Sequence, residues 1–446
     1  MDLKGKRVLI THPLISEIMG STVVCVQVAE ALQHLGADVL VLSSSFTGPA
    51  RAMFESRGVP VVIDEKQHYS IYDYDYVWIH SQLLPMSFVD QLQQINEYGI
   101  PSGKKPAAFI YNHMSAVDYA PGEQPYIMSL EESTASLEVF VSEECKEKLQ
   151  PFYQKSLNHA VPQRIFANPA PSAFNTIAPI PTAIDTPQRI AIISNHVPDE
   201  LLEARRLLEE QGITTDIIGK QGTVEEVTPA VLERYNAIIT IGKTVQYCLC
   251  AGKPVYIYDQ FGGFGYLNSD NFQICSALNF SGRGGQRFTA EYIANDVVNS
   301  YTDAVEYYQT HRNQWQKDYS IEEALIDLLA KVQPRSEIQF PFEGYYLTLA
   351  SQMRFAWRFY RYWDYEIWVN HRKDELEATQ ASLEEELVSA GKHAHELEQE
   401  VKQQQSRISE LDRLVQRVYD STSYRMGHAI VKPIHALVNK FATIRR

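Results

Sequence analysis

Short apolar runs alternate with amphipathic, helix-length stretches through the first 175 residues. "RVLIT" (7–11), "ADVLVLSS", "VPVVI", "YDYVWIHS" (74–81), "AAFIYNH" (107–113) and "LEVFVSE" (137–143) read as buried strands. Between them, "SEIMGSTVVCVQVAEALQHLG" (16–36) and "PARAMFESRG" carry the 3.6-residue apolar period of helices, the first ending at Gly36. Strands separated by helix-length segments predict a parallel sheet with right-handed crossovers. "RIFANPA" (164–170) predicts a last edge strand, and the five prolines of 169–187 an interdomain linker. A second alternation follows, from "RIAIIS" through "DELLEARRLLEEQG", "TTDIIG", "PAVLERY", "NAIITIG" and "KTVQYCLCAG" to "PVYIYD". The fold class expected is α/β, with two Rossmann-like, doubly wound domains and a ligand cleft between the carboxyl ends of their strands.

Beyond residue 289 the pattern turns helical. The aromatic and arginine-rich stretch from 340 to 370 predicts helices that bridge and pack across both domains. From Leu376 the apolar positions step by four and three without a break, through Leu383, Leu387, Leu397, Ile408 and Leu411 to Val418. That is a coiled coil of six heptads, with Gln380 and Gln404 as polar core positions. Such a seam needs a partner helix, most simply its own copy, so a homo-oligomer through 376–418 is expected. The tail 421–446 holds five Lys/Arg and no Asp/Glu, with Met426, Ile430, Ile434, Leu437, Phe441 and Ile444 on one stripe and a kink expected at Pro433. It reads either as a contact for an anionic membrane surface or membrane protein, or as a helix packed on its own coil partner. The expected organisation is a first Rossmann-like domain (1–175), a second Rossmann-like domain (186–335), bridging helices (336–371), coil (372–420) and tail (421–446).

Charge narrows the function. A formal net charge of −15 argues against nucleic acid as a partner. The five cysteines show no paired-ligand spacing and read as small buried hydrophobes. The opening "MDLKGKRVLITHP" has no long apolar run, and no stretch is apolar enough for a transmembrane helix. A cytoplasmic location, possibly peripheral at the membrane's inner face, follows as the expectation.

The richest stretch chemically is "IGKTVQYCLCAGKPVYIYDQFGGFGYLNSDNF" (241–272). Gly242 ends a strand, and Lys243 and Thr244 open a helix whose unpaired N–H groups make an anion site. Gly262, Gly263 and Gly265 predict a loop that lets backbone approach a ligand. Asn268 and Asn271 offer further donors. Lys243, Arg283 and Lys220 are candidates to meet the charge of an anionic ligand, and no metal site and no cofactor are expected. At the strand ends of the first half stand His12, His80 and His113. His113, with Asn112 and Asp118 close in sequence, is the candidate general base. Asp73 and Asp75 have Asp-x-Asp spacing but precede a strand, so they read as surface residues.

Residues 1–330 resemble a glycosyltransferase of the two-Rossmann-domain, GT-B architecture. "VFVSEECKEKL" followed by "IFANPA" resembles the exit from that superfamily's N-terminal domain, and "RIAIISNHVPDELLEARRLLEEQG" the start of its donor domain. "IGKTVQYCLCAGKPVYIYDQFGGFGYL", with "NFSGR", resembles a bacterial subgroup that builds cell-surface polysaccharide, and "STSYRMGHAIVKPI" a tail found on some polysaccharide-assembly transferases. The resemblance implies transfer of a hexose or deoxyhexose from a nucleotide-diphosphate sugar to a saccharide or lipid-linked acceptor. Many retaining members carry two glutamates eight positions apart, the second gripping the donor ribose. Here Ile239 and Tyr247 stand in those places, which leaves Gln246 or Tyr258 as candidate ribose contacts. A sugar-nucleotide epimerase and a catalytically inactive scaffold remain as alternatives.

Overall fold

A computed structural model describes residues 3–63, 66–115, 117, 124–153, 161–181 and 184–444. It divides into two units, 1–365 and 366–446. The first contains two sheets. Chain order in the first sheet's half runs β1 (Arg7–His12), α1 (Gly20–His34), β2 (Asp38–Ser43), α2 (Gly48–Ser56), β3 (Val61–Val62), β4 (Tyr76–His80), α3 (Met86–Tyr98) and β5 (Ala108–His113). It continues through α4 (Met128–Thr134), β6 (Ala135–Phe140), α5 (Glu143–Tyr153) and β7 (Gln163–Ile165). The seven strands are parallel, in the order β3-β2-β1-β4-β5-β6-β7. Every residue of β4, β5 and β6 is buried, because helices cover both faces of the sheet, and this is why these strands read as unbroken apolar runs.

The second half comprises β8 (Arg189–Ile193), α6 (Asp199–Glu210), β9 (Thr214–Ile218), α7 (Pro229–Glu233), β10 (Ala237–Thr240), α8 (Lys243–Ala251), β11 (Val255–Asp259) and β12 (Gly262–Tyr266). Helices α9 (Phe272–Ala277), α10 (Ala290–Asn299), α11 (Tyr301–Asp318) and α12 (Ile321–Ala330) follow. The strand order is β12-β11-β10-β8-β9, parallel except for the antiparallel β11–β12 pair. Two Rossmann-like, doubly wound sheets are therefore present. Strand order reverses between β1 and β4 in one and between β8 and β10 in the other, the places where such sheets open a crevice at their carboxyl ends.

Three expectations are corrected here. The glycine-rich segment is no loop, because Gly262–Tyr266 forms the edge strand β12. The 186–335 segment is not confined to one sheet: Ile321, Leu325, Leu328 and Leu329 of α12 join the core around α1 and β1. The bridging helix is not seen to span both domains: among the described residues, Leu349, Met353, Trp357 and Tyr360 belong to a core with first-sheet residues such as Phe88 and Phe109. These belong to α13 (Tyr345–Asp420), which α14 (Thr422–Ile444) follows, running helical through Pro433. In the 366–446 unit the seam residues Leu376, Leu383, Leu387, Ile408 and Leu411 are exposed along the single chain. Among the described residues, no helix is long and apolar enough to cross a membrane. All five cysteines are buried.

Candidate active site

The two switch points face one cavity of about 310 Å³. Its walls come from Ile18–Gly20 and Val23 at the start of α1, Ser194–His196 after β8, Gly219 after β9, Ile241, Lys243, Thr244 and Tyr247 around α8, and Asp259 at the end of β11. Two helices of adequate length begin here. Neither Met19 ahead of α1 nor Gly242 ahead of α8 caps its helix with a side chain, and neither first turn contains an acidic residue. Uncapped N–H groups and the positive ends of two helix dipoles therefore bear on the same space. Gly242 sits at φ 63°, a left-handed conformation that a side chain disfavours, and its N–H donates to Phe280 O at 2.8 Å.

Lys243 lines the cavity, yet its Nζ donates to Asn168 O at 2.8 Å and to Pro169 O. The ammonium lies 4.9 Å from the Tyr247 ring centre. Burial pulls its pKa down to about 7. Thr244 stands on the wall as expected. The acidic side of the cavity escaped the sequence. Asp259 accepts from Ser194 Oγ at 2.9 Å and Gln260 N at 2.7 Å, and burial raises its pKa. Glu225 and Glu226, also on the wall, bind Arg234 and Arg57. The only sequence signal for them was a pair of glutamates in the loop after a strand.

The other expected donor contacts lie elsewhere. Gln246 is wholly buried away from the cavity wall, and neither of its amide atoms has a partner among the described residues. Tyr258 is buried in the core with α6 and α10, its Oη donating to Glu200 at 2.9 Å and accepting from Phe288 N. Neither side chain is placed to grip a ribose in this cavity. Asn268 Oδ1 accepts from the N–H groups of Asp270 and Asn271, closing a local turn. Gly262 and Gly263 admit backbone rather than ligand: a Cβ on Gly263 would lie 1.9 Å from Ile257 O, and one on Gly262 would lie 2.6 Å from Gln286 O. Arg283 reaches across to Glu144 of α5 in an ion pair between the two halves. Tyr247, standing where the resemblance would put a glutamate, is a joint: its ring stacks on Phe174 of the linker at 4.2 Å, and its Oη accepts from Gln27 Nε2 of α1 at 2.6 Å.

At the strand ends of the first sheet the histidines separate into two kinds. His12 and His80 are buried with rings 5.4 Å apart. His12 Nδ1 accepts from Leu14 N, His80 Nδ1 from Asn112 Nδ2, and neither Nε2 has a partner among the described residues. Burial lowers the His12 pKa to about 4 and holds His80 well below its ordinary value, so both are neutral. His113 is different. Its Nε2 donates to Glu131 Oε1 at 2.7 Å, Tyr153 Oη donates to the same oxygen at 3.1 Å, and Gln82 holds the other oxygen. The His113 ring stacks on Phe140. Gln82 and Ser81 both adopt left-handed φ, 55° and 49°, just past β4, and that strained turn aims Gln82 at Glu131. His113 is not on the cavity wall. Asp118, the other candidate of this group, lies outside the described residues. The sequence carries no local sign of Glu131, since nothing in "SLEEST" shows which distant side chain it meets.

No protein-family model matches the chain. No curated protein matches it either. Among solved structures, it is similar to a glycosyltransferase from Rickettsia africae ESF-5, with 13% identity and a TM-score of 0.46 over 73% of this chain and 97% of that one. TarM gives 11% identity and a TM-score of 0.42 over 74% of this chain and 99% of that one. A sucrose-phosphate synthase from Thermosynechococcus elongatus gives 10% and 0.39 over 73% and 98%.

Proposed function

We propose that the chain is a glycosyltransferase that moves a hexose or deoxyhexose from a nucleoside-diphosphate sugar to a saccharide or glycoconjugate acceptor during assembly of surface polysaccharide or glycan. The observation that carries this reading is the convergence of two uncapped helix N-termini, of α1 and α8, on one cavity between two switch points. A diphosphate is the anion that such an arrangement suits, and its developing charge on departure would be met by amides already in place. Thr244 adds a hydroxyl donor, while Ser194, Asn195 and the carboxylates of Glu225 and Glu226 offer hydrogen bonds to sugar hydroxyls. The sequence resemblance over 1–330 supports the same class of reaction. His113, oriented by Glu131 and set back from the cavity wall, is the proposed base; this role requires the acceptor hydroxyl to approach the end of β5, where the ring takes its proton as the new C–O bond forms and the bond to the diphosphate breaks.

Calorimetry with nucleoside diphosphates, followed by assay of diphosphate release from donor sugars with and without saccharide acceptor, tests this. Tight binding of a diphosphate nucleoside and acceptor-dependent release are expected. Absence of binding by any nucleoside diphosphate refutes the donor site. One observation favours the inactive-scaffold reading: Lys243 spends its donors on linker carbonyls rather than on the cavity. Binding with no turnover on any donor would select that reading.

A further inference from the structure

The first turns of α13 carry three distinct faces. Leu349, Met353, Trp357 and Tyr360 are buried on the first sheet's core. Beside Trp357 runs a row of exposed arginines, Arg354, Arg358 and Arg361, whose spacing of four and three holds them within an arc of about 60°. Arg361 lies over the Trp357 ring at 5.9 Å. On the far side of that row, Phe355, Phe359 and Tyr362 are 73%, 36% and 70% exposed, and Leu347, a heptad before Arg354 and so in line with the row, is 69% exposed. A helix with its buried face already satisfied ordinarily shows solvent a polar face. This one shows solvent an arginine row and then a stripe of aromatic side chains.

The arginine row is also one wall of a groove of about 1000 Å³, closed opposite by Lys66, His68 and the start of α3. Among the described lining residues, Arg354 and Arg358 stand with Lys66 and Arg361, which hold further partners, around Asp90, which accepts from Tyr346 Oη at 2.7 Å. The whole chain has the opposite balance, 40 Lys and Arg against 55 Asp and Glu. From Tyr345 to Trp363 the helix carries three arginines and no Asp or Glu, so the excess of positive charge is local to it. None of these groove residues belongs to the cleft cavity.

We propose that this face docks on a bilayer containing anionic phospholipid, the stripe Phe355–Phe359–Tyr362 entering the boundary between headgroups and acyl chains and the arginine row binding lipid phosphates. A helix lying in the interface plane buries its apolar face about 5–10 Å deep, which leaves flanking arginines at phosphate level. Guanidinium groups bind phosphate oxygens in pairs, and a neighbouring anionic surface adds attraction for each cation. A second copy of the chain is a poorer occupant. Two-fold packing on this stripe would set the same arginine row on both sides of the contact, like charge beside like charge.

The test is co-sedimentation of the full chain with phosphatidylcholine vesicles, with and without phosphatidylglycerol, alongside light scattering. Salt-sensitive binding to the anionic vesicles alone is expected. At roughly 1 kcal/mol per basic residue, the Arg354→Ala/Arg358→Ala variant should partition about 30-fold more weakly. Phe355→Ser/Tyr362→Ser should lose binding while keeping its thermal midpoint, since both side chains are exposed. Arg425→Ala/Lys432→Ala, in the basic tail, should leave most of the binding. Three results would overturn the proposal: no binding by the unmodified chain, unchanged binding by the arginine and aromatic variants, or an aromatic variant that alters only the oligomeric state.

Discussion

Lys243 combines two opposed tendencies. Its two carbonyl partners favour the ammonium form, yet burial brings its pKa down to about 7 from the ordinary 10.5. Between those values the unfolded chain binds a proton that the folded chain lacks. Stability therefore rises with pH from about 7 toward 10.5, and below 7 the penalty for burying the charge is fully present. Lys243→Met should flatten that slope, as denaturant titrations at a series of pH values would reveal. A diphosphate in the cavity would restore the charge. Binding near pH 8 should then take up a proton, visible as a dependence of calorimetric enthalpy on buffer ionisation and absent in the same variant. For His113, removal of the ring should lower turnover by about 10²–10⁴-fold. Glu131→Gln keeps the shape but weakens the hold on the imidazole, so the pH profile of kcat should shift while donor affinity stays. An unshifted profile in that variant, with only a lower melting temperature, would make the network purely structural.

Among the elements, the β11–β12 hairpin differs most from expectation. Its glycines are needed because neighbouring strands and the 282–286 turn press backbone against backbone, and a Cβ on Gly285 would likewise lie only 2.3 Å from Gly263 O. Gly263→Ala should cost about 2–3 kcal/mol of folding stability by overpacking, measured by urea denaturation. Diphosphate affinity of the folded fraction should be unchanged. Reduced affinity with unaltered stability would return these glycines to the ligand. Helix α8 is fixed on three sides, by Phe174 against Tyr247, by Gln27 from α1, and by Arg312 donating to Cys250 O and to the linker carbonyls of Asn175 and Ile177. The N-terminus that faces the cavity is thereby held in register with α1.

At the scale of the whole molecule, the four-three seam from Leu376 to Val418 remains the strongest argument for self-association. Its 43 residues would extend about 65 Å as a helix, and its apolar positions are exposed along a single chain. Burying them requires another helix. Truncation after residue 371 should yield a monomer by light scattering that still binds nucleoside diphosphate, whereas truncation after 420 should preserve the oligomer. A long truncation that stays oligomeric would move the assembly contact to the 1–365 unit.

Periodicity alone located the parallel strands of both sheets and the helices α1, α2, α6, α7 and α8, but not α3, α4 or α5, because strands buried on both faces must be apolar along their length and their connections carry the polar and proline residues. It likewise marked Gly242–Thr244 as a helix start at a strand end, a feature local enough to be written in three consecutive residues. Pairing partners distant in sequence were not legible. Nothing in "FGGFGY" distinguishes a loop from an edge strand until Ile257 O and Gln286 O are set beside it. Tyr247 becomes a joint only when Phe174 and Gln27 arrive, and Glu131 becomes a partner for His113 only when α4 packs over the end of β5. Hydrophobic order is a property of the chain's own period. A polar network is a property of which elements meet, and only the tertiary structure brings them together.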